Sequence, residues 1–490
     1  MWYGVSSIAA RFLNYLLTPY LTDALSVEDY GKMGLVYSAL PILNVLFTYG
    51  LETAYFRYAS KQENKSSIYN TTATSIIIST LLFGITLLFF HGQLAQLAGV
   101  GKYPELIKLS IFIIMLDTLT IIPFAKLREE GRPRKYALIK IGGIVINILL
   151  TFFFLSWCRH AVAKDPGSIW SYFYNPGQNP VYYVVMANLI QAGATFVFLY
   201  KELGQIKLSI NGRLWREIVI YSLPLVLVGM GGVINEVFDR LMLHKWVPGT
   251  DSYKEQQVGI YNACYKLSIL ITLFVQAFRM GAEPFFFKQA GGENPQRTYA
   301  RVMKFFVIVI CIMFLVVSLY LPVWRYFISS KEWEGLKIVP ILLLANMFLG
   351  IYYNLSIWYK LGNKTIAGAY ITLIGTAITI TINYLFIPTY GYMACAWATF
   401  FCYGSMMLIS FVWGQKNYRI PYAWRKLSAY IVIVVLLYFA HRGVVHFTEN
   451  RIIDLAAATV LLFSFLWFVS RVEHKELVKL PVVGKYFARK

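Results

Sequence analysis

Three ionisable side chains stand deep inside otherwise apolar runs of this chain: Arg11, Asp117 and Lys266. A charge at the centre of a bilayer costs a few kcal/mol even on the lenient insertion scale, so such residues are functional candidates by default. Arg11 lies about halfway along the first apolar run and Asp117 about twelve residues into the fourth. Lys266 lies roughly nine residues into the eighth, about 13 Å from its outer end at 1.5 Å per residue. Asp239 and Arg240 close the seventh run near the outer surface. Cations placed by separate helices in one water-filled cavity would attract an anion that has to leave the aqueous phase. The structural alternative is an ion pair inside a bundle, with Asp117 as the partner of Arg11 or Lys266. Lys140, Glu217, Lys304 and Lys360 sit within a turn or two of a membrane edge, where snorkelling accounts for them.

Other chemistries find no support. No GxxxxGK[ST] phosphate loop occurs, so ATP has no Walker cradle. The six histidines, His91, His160, His244, His441, His446 and His474, fall at membrane edges or in loops without ligand spacing, so no metal is expected. Cys158, Cys264, Cys311, Cys395 and Cys402 lie in or beside apolar segments and read as core packing. With no visible nucleophile–base arrangement either, the chain is not expected to be an enzyme or to need a cofactor.

The elements that position these charges are membrane helices. Of 490 residues, 58% are hydrophobic and only 14% charged, against about a quarter charged in soluble domains. Solid apolar runs such as 76–90 exclude a β-barrel, which would alternate with period two. The fold class is therefore an all-α polytopic membrane protein, with spans expected at 3–22, 33–56, 73–91, 106–124, 137–157, 180–200, 215–238, 257–280, 302–321, 338–359, 366–387, 391–413, 428–446 and 452–470. The first run has no basic region ahead of it and carries Arg11, so it is expected to be a retained helix and not a cleaved signal.

A net charge of +21 would suggest nucleic acid in a soluble protein, but here the basic residues sit in loops between apolar runs, so no nucleic-acid partner is expected. One side of the membrane collects roughly 29 Lys and Arg against roughly 12 on the other, which makes that side cytoplasmic. Fourteen spans then put both termini in the cytoplasm. The outer loops agree: the first, TDALSVEDYG, is net acidic, and the one over 159–179 is rich in Pro, Gly and aromatics suited to the interfacial belt.

A weak internal repeat divides the chain. Tyr30-Gly31, an apolar helix and Gly50-Leu-Glu52-Thr-Ala-Tyr-Phe-Arg57 recur as Val258-Gly259, an apolar helix and Gly281-Ala-Glu283-Pro-Phe-Phe-Phe-Lys288. Both copies run inward, as in a parallel repeat about an axis normal to the membrane. The expected organisation is an N-lobe over 1–205, a C-lobe over 206–415, two further spans over 416–470 and a basic cytoplasmic tail over 471–490. The topology puts Glu52, Arg57, Glu283 and Lys288 at inner helix ends, where they would form a cytoplasmic gate. Pro41, Pro224, Gly229, Gly231, Gly232 and Pro340 are expected to interrupt helices, and 224–232 is the best hinge candidate.

The order and spacing of several strings resemble a known family. They are SSIAARFLNYLLTPYLT at 6–22, YG…GLETAYFRY at 30–58, IPFAKLREEGRPRKYALIK at 122–140, DRLML at 239–243, GIYNACYKL at 259–267, AFRMGAEPFFF at 277–287 and NYLFIPTYGYMACAWAT at 383–399. The chain resembles the polysaccharide flippases of the multidrug/oligosaccharidyl-lipid/polysaccharide exporter superfamily, of the O-antigen or capsule repeat-unit type found in bacteria related to Bacteroides. That resemblance implies fourteen helices and alternating access. It also implies an oligosaccharide on a polyprenyl diphosphate as substrate, moved from the cytoplasmic to the periplasmic leaflet of the inner membrane. Membrane lipid would hold the tail, and a polysaccharide polymerase and glycosyltransferases are candidate partners.

By similarity Arg11, the Asp239–Arg240 pair and Lys266 match cavity-facing positions. The substrate-binding candidates are then Arg11, Arg240 and Lys266, and the coupling or ion-pair candidates Asp117 and Asp239. Coupling to Na+ or H+ does not carry over from the resemblance. A cation-coupled multidrug exporter of the same fold and a peptidoglycan lipid-precursor flippase are the alternatives. The first would be expected to have an acidic cavity. From another class, a membrane-embedded glycosyltransferase would need a carboxylate cluster or long outer loops.

Overall fold

Asn, Ser and Pro punctuate the helix starts. Ser26 accepts a hydrogen bond from the Asp29 amide, with Glu28 and Asp29 in the first turn, and this caps α2 (Val27–Thr48). Asn64 caps α4 (Lys65–Phe89), Asn179 caps α7 (Pro180–Phe198), Asn211 caps α8 (Gly212–Trp246) and Asn450 caps α15 (Arg451–Val472). Proline opens α5 (Pro104–Glu129), α6 (Pro133–Phe152) and α10 (Pro295–Ser318), at a position where its missing amide has no helical partner to lose.

The computed structural model describes residues 9, 11–59, 64–290, 292–362, 364–448 and 450–478. The remaining main helices are α1 (Thr18–Ala24), α3 (Leu51–Ala59), α9 (Asp251–Gln289), α11 (Val339–Leu355), α12 (Thr365–Tyr390), α13 (Tyr392–Asn417) and α14 (Trp424–Thr448). No strand occurs among the described residues. Thirteen of their helices are long and apolar enough to cross a membrane, one for each expected span after the first. Residues 3–8 and 10 of the first expected span, 3–22, lie outside the described ones, and 11–16 are helical ahead of α1.

Several helix bounds differ from expectation: α2, α4 and α10 begin at Val27, Lys65 and Pro295, ahead of the expected 33, 73 and 302. Asp239 and Arg240 do not close the seventh span, because α8 runs on to Trp246. Pro340 does not interrupt a helix either: it stands in the first turn of α11, after a 3-10 stretch at Ser330–Ile338. Pro41 and Pro224 do lie inside continuous helices, as neighbouring helices permit in a membrane. Glycines of the 224–232 segment serve as contact points. A Cβ on Gly229 would lie 3.2 Å from Val45 and one on Gly231 3.0 Å from Thr372, and Thr376 donates to the Gly231 carbonyl at 3.3 Å.

The second span is two helices. Tyr49 at φ 31° and Gly50 at φ 74° break the chain between α2 and α3, a conformation that glycine adopts without steric penalty. The repeat copy has no such break, and α9 continues through Gly281.

By contact the chain forms two units. The first comprises 1–266 and 366–402, the second 267–365 and 403–490. In the first, Leu51, Tyr55, Ile68, Tyr69, Ile122 and Ile218 join α3, α4, α5 and α8 in one apolar core. In the second, Glu473 just past α15 has a side chain only 1% exposed and receives Lys304 at 2.8 Å and Lys426 at 2.6 Å. The Tyr430 hydroxyl donates at 2.6 Å to Oε1, the oxygen that Lys426 also reaches. One carboxylate thereby ties together α10, α14 and α15.

Candidate functional site

The α8–α9 turn is short, so the two helices run antiparallel and set residues 239–240 beside 261–266. Asp239 and Arg240 are 2% and 6% exposed, and an unpaired ion so placed would be strongly destabilising. They pair with each other: Arg240 Nη1 lies 3.0 Å from Asp239 Oδ1. The guanidinium also donates to the Glu236 carbonyl at 2.9 Å and to Asn262 Oδ1 at 3.3 Å, and it lies 4.5 Å from the centre of the Tyr265 ring. The Tyr261 hydroxyl donates to Asp239 Oδ2, and Cys395 of α13 faces the Asp239 carbonyl at 3.8 Å. Arg240 is therefore a neutralised and oriented cation.

Lys266 stands about one turn further along α9, half-buried. Among the described residues no carboxylate lies within ion-pairing distance of it, and the charge whose field reaches it is the like charge of Arg240. Arg11 is exposed on the helical stretch ahead of α1. Asp117 on α5 is half-buried, and the cation whose field reaches it is Lys140, whose Nζ lies 4.4 Å from the centre of the Phe124 ring. Among the described residues, no ion pair joins Asp117 to Arg11 or Lys266. The structure thus gathers Asp239, Arg240 and Lys266 and leaves Asp117 on a separate helix.

At the expected inner end, Glu52 pairs with Arg128 of α5, and the Arg128 guanidinium lies 4.6 Å from the Phe56 ring centre. Arg57 lies over Tyr221 of α8 at 4.0 Å. The side chains of Glu283 and Lys288 lie outside the described residues.

The other end holds polar contacts that the sequence reading missed. Lys32 on α2 is buried between Asp29 at 2.9 Å and Glu255 of α9 at 3.5 Å. Asn179 donates to Asp29 at 2.8 Å, and Gln256 donates to Glu28. Beside them α2 and α9 cross backbone to backbone: a Cβ on Gly31 would stand 2.0 Å from the Glu255 carbonyl oxygen, and one on Gly259 2.2 Å from that of Val27. Glu236, on α8 one turn before Arg240 and exposed, was also missed. Its position inside the seventh expected span was the available signal. Arg279, at the inner end of the eighth expected span, lies within α9 and faces Tyr353 at 4.7 Å in a small cavity with Asn354 and Lys360.

Two family profiles match the chain: that of polysaccharide biosynthesis proteins over residues 1–289 and that of MatE over 250–385. Two proteins of Haemophilus influenzae are similar. An uncharacterized membrane protein is 20% identical over 360 residues, 73% of this chain and 81% of its own length. Lsg locus putative protein 1 is 21% identical over 373 residues, 73% of this chain and 82% of its own length. Among solved structures, the lipid II flippase MurJ in an inward closed conformation shares the fold with a TM-score of 0.71 at 16% identity, covering 96% of this chain and 98% of that one. A multidrug resistance MATE family transporter of the MOP superfamily, inward-facing, gives 0.59 at 14% identity over 87% and 94% of the two chains. An outward-facing structure gives 0.58 at 14% over 88% and 95%. The fold is thus that of MOP-superfamily transporters and flippases, and with its profile matched over more than half of the sequence, the chain belongs to the polysaccharide biosynthesis protein family.

Proposed function

We propose that this protein is a flippase that carries polyprenyl-diphosphate-linked oligosaccharide repeat units from the cytoplasmic to the periplasmic leaflet of a bacterial inner membrane, by alternating access, for cell-surface polysaccharide synthesis. Lys266 carries the proposal: it is a cation inside a membrane span with no carboxylate partner among the described residues. A diphosphate entering from the inner side would supply the missing anion. Arg240, held by Asp239 and Asn262, would orient that charge and resist following it outward. The polyprenyl tail would stay in lipid while the sugars crossed with the headgroup. Arg11 is the third proposed cation, brought in from the first span.

In this reading both termini are cytoplasmic. The α2–α9 crossing at Gly31, Lys32, Glu255 and Gly259 is the outer gate. Glu52, Arg57, Glu283 and Lys288 belong to the inner one, where Glu52 leaves Arg128 for Lys288 when the inner side closes. Asp117 is the proposed coupling site for Na+ or H+. The N-lobe and C-lobe boundaries remain those expected from the sequence, and a polymerase and glycosyltransferases act before and after transport.

A second reading, a peptidoglycan lipid-precursor flippase, is favoured by the TM-score of 0.71 to MurJ. Both are tested in liposomes by scoring arrival of labelled lipid at the far leaflet. The expected result is transfer of a polyprenyl-diphosphate oligosaccharide by wild type and its loss in Lys266→Met. Transfer of a lipid-linked disaccharide-pentapeptide alone would select the second reading. Export of a cationic dye, with neither lipid moved and no effect of Lys266→Met, would overturn both.

A further inference from the structure

The proposed route leaves unused a cleft of about 1020 Å³ between the outer ends of α1 and α6. The helix that begins at Pro133 continues through a π-helical turn at Phe153–Cys158 and a last segment, Arg159–Lys164. At 32 residues it is about 48 Å long, whereas the hydrocarbon core is about 30 Å thick. Its final turns therefore stand at headgroup level. Trp157, 62% exposed, and Tyr172, 88% exposed, mark the same level, as interfacial aromatics do. Trp157, Phe153 and Phe173 surround Trp170 with ring centres 6.0 to 6.4 Å apart, so this wall is packed.

The lining changes character along the cleft. Leu149, Phe152 and Phe153 form its deeper part, and Arg159, His160 and Lys164 its outer rim. Leu149 to Lys164 spans fifteen residues, roughly 22 Å of helix, about one leaflet with its headgroups. The Tyr20 hydroxyl is bonded to Ser156 Oγ at 2.6 Å, which ties α1 to the π turn. Arg159 Nη1 donates to the Ala24 carbonyl at 3.0 Å and makes no other hydrogen bond among the described residues. His160 and Lys164 have no hydrogen-bond or ion-pair partner among them. Asp23 is the one acid of the lining, and none of the three rim groups is paired with it. Charge at the carboxyl end of a helix is favoured by the dipole, but that does not require an apolar cleft beneath it.

We infer that this cleft binds a long-chain lipid through its phosphate headgroup, with the phosphate on Arg159, His160 and Lys164 and a chain along Leu149, Phe152 and Phe153. The outer-leaflet assignment rests on the proposed orientation, in which these cations stand on the side where basic residues are scarce.

Native mass spectrometry of the full chain tests it, since retained lipid is read without any transport step; failure of the flippase assay therefore leaves this readout intact. The probes are phosphatidylglycerol, phosphatidylcholine and inorganic diphosphate. The variants are Arg159→Gln with Lys164→Gln, and, as a charge-matched control, Lys245→Gln with Lys331→Gln. At about 1 kcal/mol per cation near an anionic headgroup, the first pair is expected to weaken phosphatidylglycerol retention tenfold or more, while the control retains it and diphosphate does not compete. Equal losses in both pairs would mean annular lipid only and overturn the proposal. Competition by free diphosphate at the lipid's own concentration would overturn it in favour of a water-facing phosphate site. A control spectrum of each variant without added lipid, showing the intact folded charge distribution, separates loss of the site from loss of the fold.

Discussion

Gly31 packs against Gly259 at the crossing of α2 and α9: a Cβ on Gly31 would lie 3.1 Å from the Gly259 amide nitrogen, and one on Gly259 would meet the Val27 carbonyl one turn before Gly31. These are the corresponding glycines of the internal repeat, so each copy supplies the small residue that lets the other approach. The backbone contact brings Lys32 within reach of Glu255 and sets Gly34 against Asn262, the residue that also accepts from Arg240. Asn262 thus touches both this crossing and the buried Arg240 guanidinium.

Substituting either glycine should push the crossing apart. Gly31→Leu and Gly259→Leu are each expected to destabilise the observed arrangement by about 1–3 kcal/mol through overpacking. The double variant should cost less than the sum, since one clash already separates the helices. A cysteine at Asn262 should then gain reactivity toward an impermeant thiol reagent. Unchanged labelling would show that the crossing does not open as a unit.

Lys32 and Glu255 should show coupling. Lys32→Met leaves both Asp29 and Glu255 without their shared cation, whereas Glu255→Gln leaves Lys32 paired with Asp29, so Lys32→Met is expected to be worse, by about 1–3 kcal/mol in thermal unfolding. A double-mutant cycle that gives no interaction energy would refute a direct pair.

Lys266 should trade stability against activity. Removing an intramembrane cation that lacks a carboxylate partner among the described residues relieves its burial, so Lys266→Met is expected to raise stability by about 1–3 kcal/mol while abolishing transfer. A variant that is both less stable and inactive would point to a structural role instead.

Glu473 predicts an acid-sensitive second unit. Burial alone would raise its carboxyl, but the hydrogen bonds from Lys304, Lys426 and Tyr430 outweigh that and hold it below the ordinary value. A depressed carboxyl contributes stability that is complete above the unfolded value, about 4.3, and lost as pH falls through the lower folded value. Wild type should therefore exceed Glu473→Gln in melting temperature at neutral pH, and the gap should narrow below about pH 4.3. A gap independent of pH would assign the effect to packing.

Glu52 and Arg128, both partly exposed, should matter little to the fold: Glu52→Gln is expected to shift stability by less than about 1 kcal/mol. A transport defect much larger than that, restored by charge exchange between Glu52 and Lys288, would support the inner gate. Disulfide trapping of cysteines at those two positions reports whether they ever meet.

Span number and fold class were legible from the sequence because they depend on local quantities; helix starts were not, since α2 and α4 begin at Val27 and Lys65 where 33 and 73 were expected. An apolar run long enough to cross hydrocarbon must be a helix that satisfies its own backbone. The cost of intramembrane charge likewise singled out Asp239, Arg240 and Lys266 without any fold. Partnership was not legible. That Arg240 is neutralised by its own neighbour while Lys266 is not depends on where Asn262 and Tyr261 fall across the α8–α9 pair. Lys32 lies one residue ahead of the second expected span, and only the placement of α9 against α2 pairs it with Glu255. The repeat was visible as two strings, but only the tertiary structure could show that its glycines touch, because a missing side chain has no signature except the backbone that fills its space.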